Sequence, residues 1–534
     1  MRRHVCTLIL VSLTAVSARA QDAGEAPDGW VATIDGWLGV AVKKIFNVLF
    51  YDLGFGRLPG DAELPALIVW LAGGAIALTL YHGFINARGF GHALAVIRGK
   101  WARPGVDGDI SQFQAFTSAL SATVGLGNIA SVATAMVVGG PGALLWMLVL
   151  GFCGMTVKFH ETTLAQLYRI QNADGTISGG PMFFISRGFR QIHPALGGLG
   201  TVVAVVFAVM LMFAALGGGN LYQANQAFEG FFSQFVQPGL TPEQIQAGTV
   251  RNSTAVAFGI VMCLLVGVVV LGGIRRIGRV TSVIVPLMAV VYVAACWVII
   301  GMNIQALPAL LATVFREALT PEAGLGGVIG AMMVGFRRAA FSSESGIGSS
   351  AVAHAAARTA EPVREGFVAA LEPFVDTIII CSTTGLMVLI TGAYAAEGLG
   401  GDGAAVTLHA FQQSDLLVTL QFPKILAISI VLFAFSTMIS WCYYGERAWG
   451  YLFGIRSVLI FRIVFVGVVF LGAIASGGNA IGLADASLLA CAIPNLLGCF
   501  ILAPIVKRRL KAYWREYRGG TLVAGEAIDH PMPK

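Results

Sequence analysis

Two short stretches of this chain interrupt apolar sequence with glycine, hydroxyl and amide residues. One reads Ser121-Ala-Thr-Val-Gly125-Leu-Gly127-Asn128-Ile-Ala130 and the other Ser342-Ser-Glu344-Ser-Gly346-Ile-Gly348-Ser349-Ser350-Ala351. Each holds Gly-(Leu or Ile)-Gly followed by a small polar residue. Paired glycines lower helix propensity by about 1 kcal/mol each and let the chain unwind. In a medium without water, unwound backbone is tolerated only where it lines a buried cavity. There, N–H groups at a half-helix N-terminus hold a carboxylate, and freed carbonyls coordinate a cation. Asn128, Thr123 and Ser121 add side-chain polarity without charge. A glycine face for close helix packing is the competing reading of one isolated Gly-x-Gly. Two copies at equivalent positions favour a site.

Other residues extend this chemistry. In Phe435-Ser436-Thr437-Met-Ile-Ser-Trp441, the adjacent hydroxyls of Ser436 and Thr437 offer two hard oxygen ligands suited to Na⁺, with backbone carbonyls near Ala122 and Gly125. Trp441 lies four residues from Thr437, on the same helix face, where it can wall a pocket fit for a short side chain. Gln223, after Gly217-Gly-Gly-Asn220, suits an ammonium or a carboxylate, or else an interhelical hydrogen bond. Ionisable groups inside apolar runs are functional candidates by default. Lys158 and Glu161, three apart, read as a structural ion pair. Glu344 reads as a gate, a proton site or a charge pinning the unwound segment, and Asp376 as a group with a structural or gating partner. His354 reads as helix-terminal filler. The cysteines form no Cys-x-x-Cys and read as small apolar filler.

Apolar spans must hold these residues in place. Only 12% of the 534 residues are charged, about half the roughly 25% of a soluble domain, so most of the chain lies in lipid. Basic residues fall in short clusters between apolar runs, which excludes nucleic acid as a partner. Eleven runs can span a bilayer: 64–86, 113–138, 142–168, 198–224, 254–273, 280–301, 325–350, 366–394, 417–441, 456–475 and 480–506. With residue 64 outside, Lys and Arg collect in the inner loops (Arg88 and Arg98, Arg275 to Arg279, Lys507 to Lys511), as the positive-inside rule demands. Before them, Arg2 and Arg3, an apolar run and Ala18-Arg19-Ala20 form a signal-peptide pattern over 1–20. It predicts an extracytoplasmic N-terminus and a bacterial envelope location. Residues 21–63 are expected outside, with an amphipathic segment Trp30–Phe55; 64–506 form the membrane unit; 507–534 form a cytoplasmic tail. The two broken spans are five apart and run in opposite directions, which predicts an all-α polytopic protein with a five-plus-five inverted repeat and two discontinuous helices.

The stretches Gly108-Asp-Ile-Ser-Gln-Phe-Gln-Ala, Ser121–Ala130, Gly139-Gly-Pro-Gly-Ala, Gly179-Gly-Pro-Met-Phe-Phe, Phe341–Ser349 and Trp441-Cys-Tyr-Tyr-Gly-Glu together resemble the alanine or glycine:cation symporter family. The resemblance runs from about residue 60 to 505. It implies a LeuT-type fold in the bacterial inner membrane, no cofactor, and symport of Na⁺ with alanine or glycine. By position it implies that Thr123, Gly125, Gly127 and Asn128 bind the substrate's backbone groups, followed by Gln223, Phe341, Thr437 and Trp441. Ser131, Ser345 and Leu126 depart from the residues usual in that family. A proton-coupled amino-acid carrier is the nearest rival and a channel a more distant one. The sequence carries no His-Glu-x-x-His or Gly-x-Ser-x-Gly of a membrane enzyme.

Overall fold

The computed structural model describes Asn47 and residues 49–54, 63–103, 105–319, 324–396, 403–475 and 487–528. The signal peptide and most of the amphipathic segment expected before residue 63 lie outside the described residues. What is described is almost wholly helical. In chain order the elements used below are α1 Ala66–Tyr81, α2 Phe90–Ile97, α3 Gln112–Thr123, α4 Leu126–Gly139, α5 Gly142–Leu167, the antiparallel strands β1 Ile170–Gln171 and β2 Ile177–Ser178, α6 Pro181–Ile192, α7 Leu196–Leu216, α8 Tyr222–Phe235, α9 Thr249–Val270, α10 Gly273–Met302, α11 Leu307–Leu319, α12 Gly324–Ser343, α13 Ser350–Ala355, α14 Pro362–Ala369, α15 Ser382–Ile390, α16 Gly403–Gln412, α17 Phe422–Phe453, α18 Val458–Ile474 and α19 Ala492–Gly519.

Within the described residues, each of the eleven apolar intervals overlaps one or more of these helices; residues 480–486 of the last interval lie outside the described residues. Among the described residues eight helices are long and apolar enough to cross a bilayer by themselves, and the pair α3–α4, bent by 41°, makes a ninth crossing if counted as one. The first interval yields only the 16 residues of α1, about 24 Å of helix at 1.5 Å per residue. The seventh is α12, which carries Arg337 and Arg338 and ends where the second glycine pair begins.

Burial divides the bundle into an inner and an outer set. The apolar windows of α5, α17 and α19 are 72% buried, those of α9 and α18 33%. The outer helices show large apolar side chains outward, such as Leu264, Val268, Val283, Val290 and Ile463. A continuous apolar exterior of this kind is stable only against lipid. Polar residues are turned inward, the reverse of a soluble protein.

Local signals set the helix ends. Ser111 caps α3: its Oγ accepts from the Gln114 N–H at 3.2 Å, and Gln114 Oε1 accepts from the Ser111 N–H at 3.1 Å, a capping box that satisfies two orphan donors. Pro181 opens α6 at a position where no N–H is needed. The helix α19 continues past 506 to Gly519, and the chain after it folds back onto the bundle. Ile528 N–H donates to Glu361 (3.1 Å), Gly525 N–H to the Trp101 carbonyl (3.2 Å), and Arg364 to the Val523 carbonyl (2.8 Å). On the same face His92, in the loop helix α2, contacts Tyr513 Oη at 2.7 Å. Burial, then the charges of Arg364 and Lys100, push its pKa down to about 4, so it stays neutral there.

Candidate functional site

The first glycine pair breaks its span as its composition predicts. The helix α3 ends at Thr123, Val124 is extended, and α4 starts at Leu126. Breaking the helix leaves the Gly125 N–H and the Ser121 carbonyl without their helical partners. Asn128 Oδ1 accepts from the Gly125 N–H at 3.1 Å, and Thr437 Oγ1, from α17, donates to the Ser121 carbonyl at 2.9 Å. The lack of a side chain at Gly125 permits this approach, since a methyl there would lie 3.1 Å from Thr437 Oγ1 and 4.0 Å from Gln223 Oε1. The break thus gathers Thr437 from α17 and Gln223 from α8.

Several polar atoms in these elements are left over. Ser121 Oγ, Gln223 Oε1 and Ser440 Oγ are buried without a hydrogen-bond partner among the described residues. An unpartnered buried polar group costs about 1–3 kcal/mol. Three in elements that meet at one break suit a polar ligand better than a sealed core. Beside them Trp441 packs its ring into the space that Gly219 leaves by having no side chain. Gly219 lies in a π-helical turn, Gly217–Leu221, between α7 and α8, a local widening common at functional sites.

The second pair breaks its span differently. Glu344, Gly346 and Gly348 all take left-handed backbone, with φ of 51°, 91° and 83°. Gly346 abuts Leu71 of α1 and Leu496 of α19, while Gly348 abuts Asn495 of α19 and Pro181 of α6. Asn495 Nδ2 donates to the Gly346 carbonyl at 2.7 Å. Ser349 Oγ donates to Glu344 Oε2 at 2.5 Å. The first and last spans and α6 therefore brace this break on several sides.

The two breaks touch. A methyl built on Gly127 meets the Phe341 carbonyl oxygen and Ser342 Cα at 3.8 Å. Asn128 Nδ2 donates to Ser342 Oγ at 3.1 Å and to Asp376 Oδ1. Asp376 lies in a π-helical segment, Phe374–Cys381, that precedes α15. Its Oδ2 accepts from Ser342 Oγ at 2.9 Å and from Thr377 Oγ1 at 2.8 Å. No ion pair to Asp376 occurs among the described residues. A fully buried carboxylate is thus held by neutral donors from both broken spans. The sequence expectation of a structural or gating partner for Asp376 understates this position, because its contact with Asn128 joins residues 248 apart.

Behind the second break lies a buried ionic network. The expected pairing of Lys158 with Glu161 is not what the structure has. Lys158 Nζ, fully buried on α5, pairs with Glu372 Oε2 at 3.1 Å and donates to Ser350 Oγ at 2.7 Å. Glu161 Oε2 instead accepts from Asn495 Nδ2 at 2.9 Å. Helical spacing puts both on one face of α5, but partners from other spans reach each of them. Gly151 and Gly154 of α5 allow this closeness, abutting Thr377 and Ser345. His354, read as filler, sits between Glu365 (Nδ1–Oε1 2.6 Å) and Glu372 (Nε2–Oε1 2.5 Å). Gln112 of α3 donates to Glu365 Oε2 at 2.9 Å.

The remaining predicted residues divide. Thr123 Oγ1 donates to the Leu120 carbonyl of its own helix at 3.2 Å, and Ser436 Oγ to the Phe433 carbonyl at 2.9 Å. Of the two expected Na⁺ hydroxyls, Thr437 reaches the first break and Ser436 bonds back along α17. A 100° step per residue on a helix separates neighbours in this way. Phe341 meets the first break through its backbone carbonyl, with a half-buried ring. Sequence reasoning missed Glu365, Glu372, Ser440 and Asn495. For Glu372, Ser440 and Asn495 the signal was polarity inside apolar runs; Glu365 stands just before one.

Broken spans that face one another inside an apolar bundle, with uncharged polar groups gathered between them, define a membrane transporter of the secondary kind. The chain belongs to the sodium:alanine symporter family, whose model matches residues 61–524. It is 41% identical over 452 residues to the "Sodium/alanine symporter AgcS" of Methanococcus maripaludis, which covers 84% of this chain and 94% of that protein. It is 31% identical to the "Probable sodium/glutamine symporter GlnT" of Bacillus subtilis, over 85% of this chain and 89% of that one. Among solved structures it is similar to MhsT in complex with L-phenylalanine, with 16% identity, a TM-score of 0.48, and coverage of 75% of this chain and 89% of that one. It is a transporter and not an enzyme, and its family couples transport to sodium.

Proposed function

We propose that this protein carries alanine or glycine into the cell together with Na⁺ by alternating access. On this reading it lies in a bacterial inner membrane, N-terminus outside and C-terminus inside, with spans two to eleven forming the LeuT-type inverted repeat. The first break is the substrate seat. The Gly125–Asn128 backbone receives the carboxylate at the N-terminus of α4, and Gln223 Oε1 accepts from the ammonium. Trp441 closes the pocket on the side-chain end, which favours a hydrogen or a methyl group. Na⁺ takes oxygens from Asp376, Ser342 and Thr377, and a second cation can use Thr437 with the Ser121 carbonyl. The name of AgcS supports alanine, while that of GlnT marks glutamine as the substrate to exclude.

The observation that carries this reading is the Asp376 carboxylate, buried among neutral donors from both broken spans and next to an uncharged break with unfilled polar atoms. A buried carboxylate needs a counter-charge or a proton, and a coupling ion supplies the former. Purified protein in liposomes is expected to take up labelled alanine only under an inward Na⁺ gradient, with unlabelled glycine competing and glutamine not. Uptake of equal rate without Na⁺ overturns the proposal.

A proton-coupled cycle is the second reading, and one observation favours it. The buried network holds the carboxylates of Glu161, Glu344, Glu365, Glu372 and Asp376 against the cationic groups Lys158 and His354. Surplus acids in such a place suit proton binding. Uptake driven by an inward pH gradient in Na⁺-free buffer selects this reading.

A further inference from the structure

We propose that the groove between the inner ends of α1 and α19 binds the headgroup of an anionic phospholipid carrying two phosphates. The two helices pack along their length: Trp70 meets Phe500 edge-on, with ring centroids 5.4 Å apart, and Gly74 abuts Leu496. Past Tyr81 and Lys507 they leave a cavity of about 710 Å³, large enough for a headgroup. Arg88, Lys507, Lys511, Arg515 and Arg518 line it, and no carboxylate does. Four of these five follow one another on α19 at spacings of four, four and three residues, which places them on one helix face. That row is about 16 Å long at 1.5 Å per residue, more than one phosphate can occupy. None of the five forms an ion pair with a carboxylate among the described residues, although Glu361, Glu446 and Asp109 at the same end each hold an arginine.

The surroundings suit a lipid better than a soluble anion. Lys507 Nζ stands 3.8 Å from the Tyr81 ring centroid, an aromatic at the level where such rings mark the membrane interface. Leu80 and Leu510 line the same groove, and Leu80 is 61% exposed, giving acyl chains an apolar wall just below the cations. Basic pockets between spans on the inner side attract anionic headgroups in this way. The groove lies apart from both breaks and takes no part in substrate binding.

The test uses the full chain purified in detergent and native mass spectrometry with added cardiolipin, phosphatidylglycerol, phosphatidylcholine or inorganic phosphate. Cardiolipin is expected to be retained at least about tenfold more tightly than phosphatidylcholine, to prefer the protein over phosphatidylglycerol, and to resist displacement by inorganic phosphate. Lys511→Gln with Arg515→Gln is expected to lose that preference, while Arg276→Gln with Arg279→Gln, which removes equal charge from the first turns of α10, keeps it. Arg515→Gln alone, at an exposed position that leaves packing intact, weakens retention in the same direction. Equal retention by the groove variants and the wild type, equal loss in the control pair, or displacement by inorganic phosphate overturns the proposal.

Discussion

The two breaks share a sequence pattern and differ in almost everything around it. At the first, neither glycine takes a left-handed φ, the groups reaching it from α8 and α17 are neutral while Asn128 meets the Asp376 carboxylate, and polar atoms of the converging helices stay unpartnered. At the second, both glycines are left-handed, Glu344 is left-handed beside them, and Lys158, His354, Glu372 and Asn495 hold many of the surrounding groups, though Ser345 Oγ and Asn495 Oδ1 stay unpartnered among the described residues there too. A motif that unwinds a helix therefore fixes no role by itself. Its neighbours decide whether the freed backbone groups await a ligand or are already taken. On the proposed reading the first break receives the substrate, and the second is held by its charged and amide neighbours.

Substitutions at the two breaks can force this contrast apart. The largest effect is expected at the held break. Lys158→Met strands Glu372 in the core and is expected to cost about 3–5 kcal/mol, as when one partner of a buried pair is removed. Thermal unfolding in detergent measures it, and Lys158→Met with Glu372→Gln should recover part of the loss. Gly348→Ala comes next. Its methyl meets Asn495 Oδ1 at 2.5 Å and Pro181 at 2.6 Å with φ at +83°, so about 2–4 kcal/mol is expected from backbone strain and overpacking. The matching Gly127→Ala meets nothing closer than 3.8 Å and should leave unfolding nearly unchanged. Equal losses at the two glycines would end the distinction.

Effects on transport follow. Asp376→Asn keeps the size of the side chain and removes its charge. It is expected to cut Na⁺-dependent uptake by about a hundredfold, on the order of 2.7 kcal/mol, with the unfolding temperature little changed. The smallest effect is expected at the receiving break. Gln223→Ala removes an acceptor that has no protein partner, together with the Nε2 bond to the Gly218 carbonyl at 3.2 Å, so KM for alanine should rise about tenfold while stability falls by no more than about 1 kcal/mol. A larger fall in stability with KM unchanged would mean that Gln223 is structural.

The sequence made the breaks legible because glycine, hydroxyl and amide residues have no apolar excuse for standing inside a membrane span. Run length made the apolar helices legible, of which eight or nine among the described residues are long enough to cross a bilayer. Partners were not, because local spacing sees only one helix. Lys158 and Glu161 look paired at a distance of three residues, yet Lys158 takes Glu372, which lies 214 positions further along the chain. The bond from Thr437 to the Ser121 carbonyl crosses 316 positions, and no local pattern records it. His354 gave no sign of the two glutamates flanking it, since both come from the next span. Side-chain direction around a helix separated Ser436 from Thr437, which the bare dipeptide cannot do.

The position of Asp376 also has an electrical meaning. A carboxylate fixed in the bilayer sits part-way down the transmembrane voltage, where each elementary charge is worth about 2.3 kcal/mol per 100 mV. On the proposed reading, with one Na⁺ on Asp376, no second cation and a zwitterionic amino acid beside it, the loaded site is locally neutral and crosses without electrical help. The empty site would then bear one negative charge, and a voltage negative inside would drive it back toward the outer face. Membrane potential would accelerate recovery rather than delivery, by up to about 50-fold per 100 mV if the charge crosses the whole field.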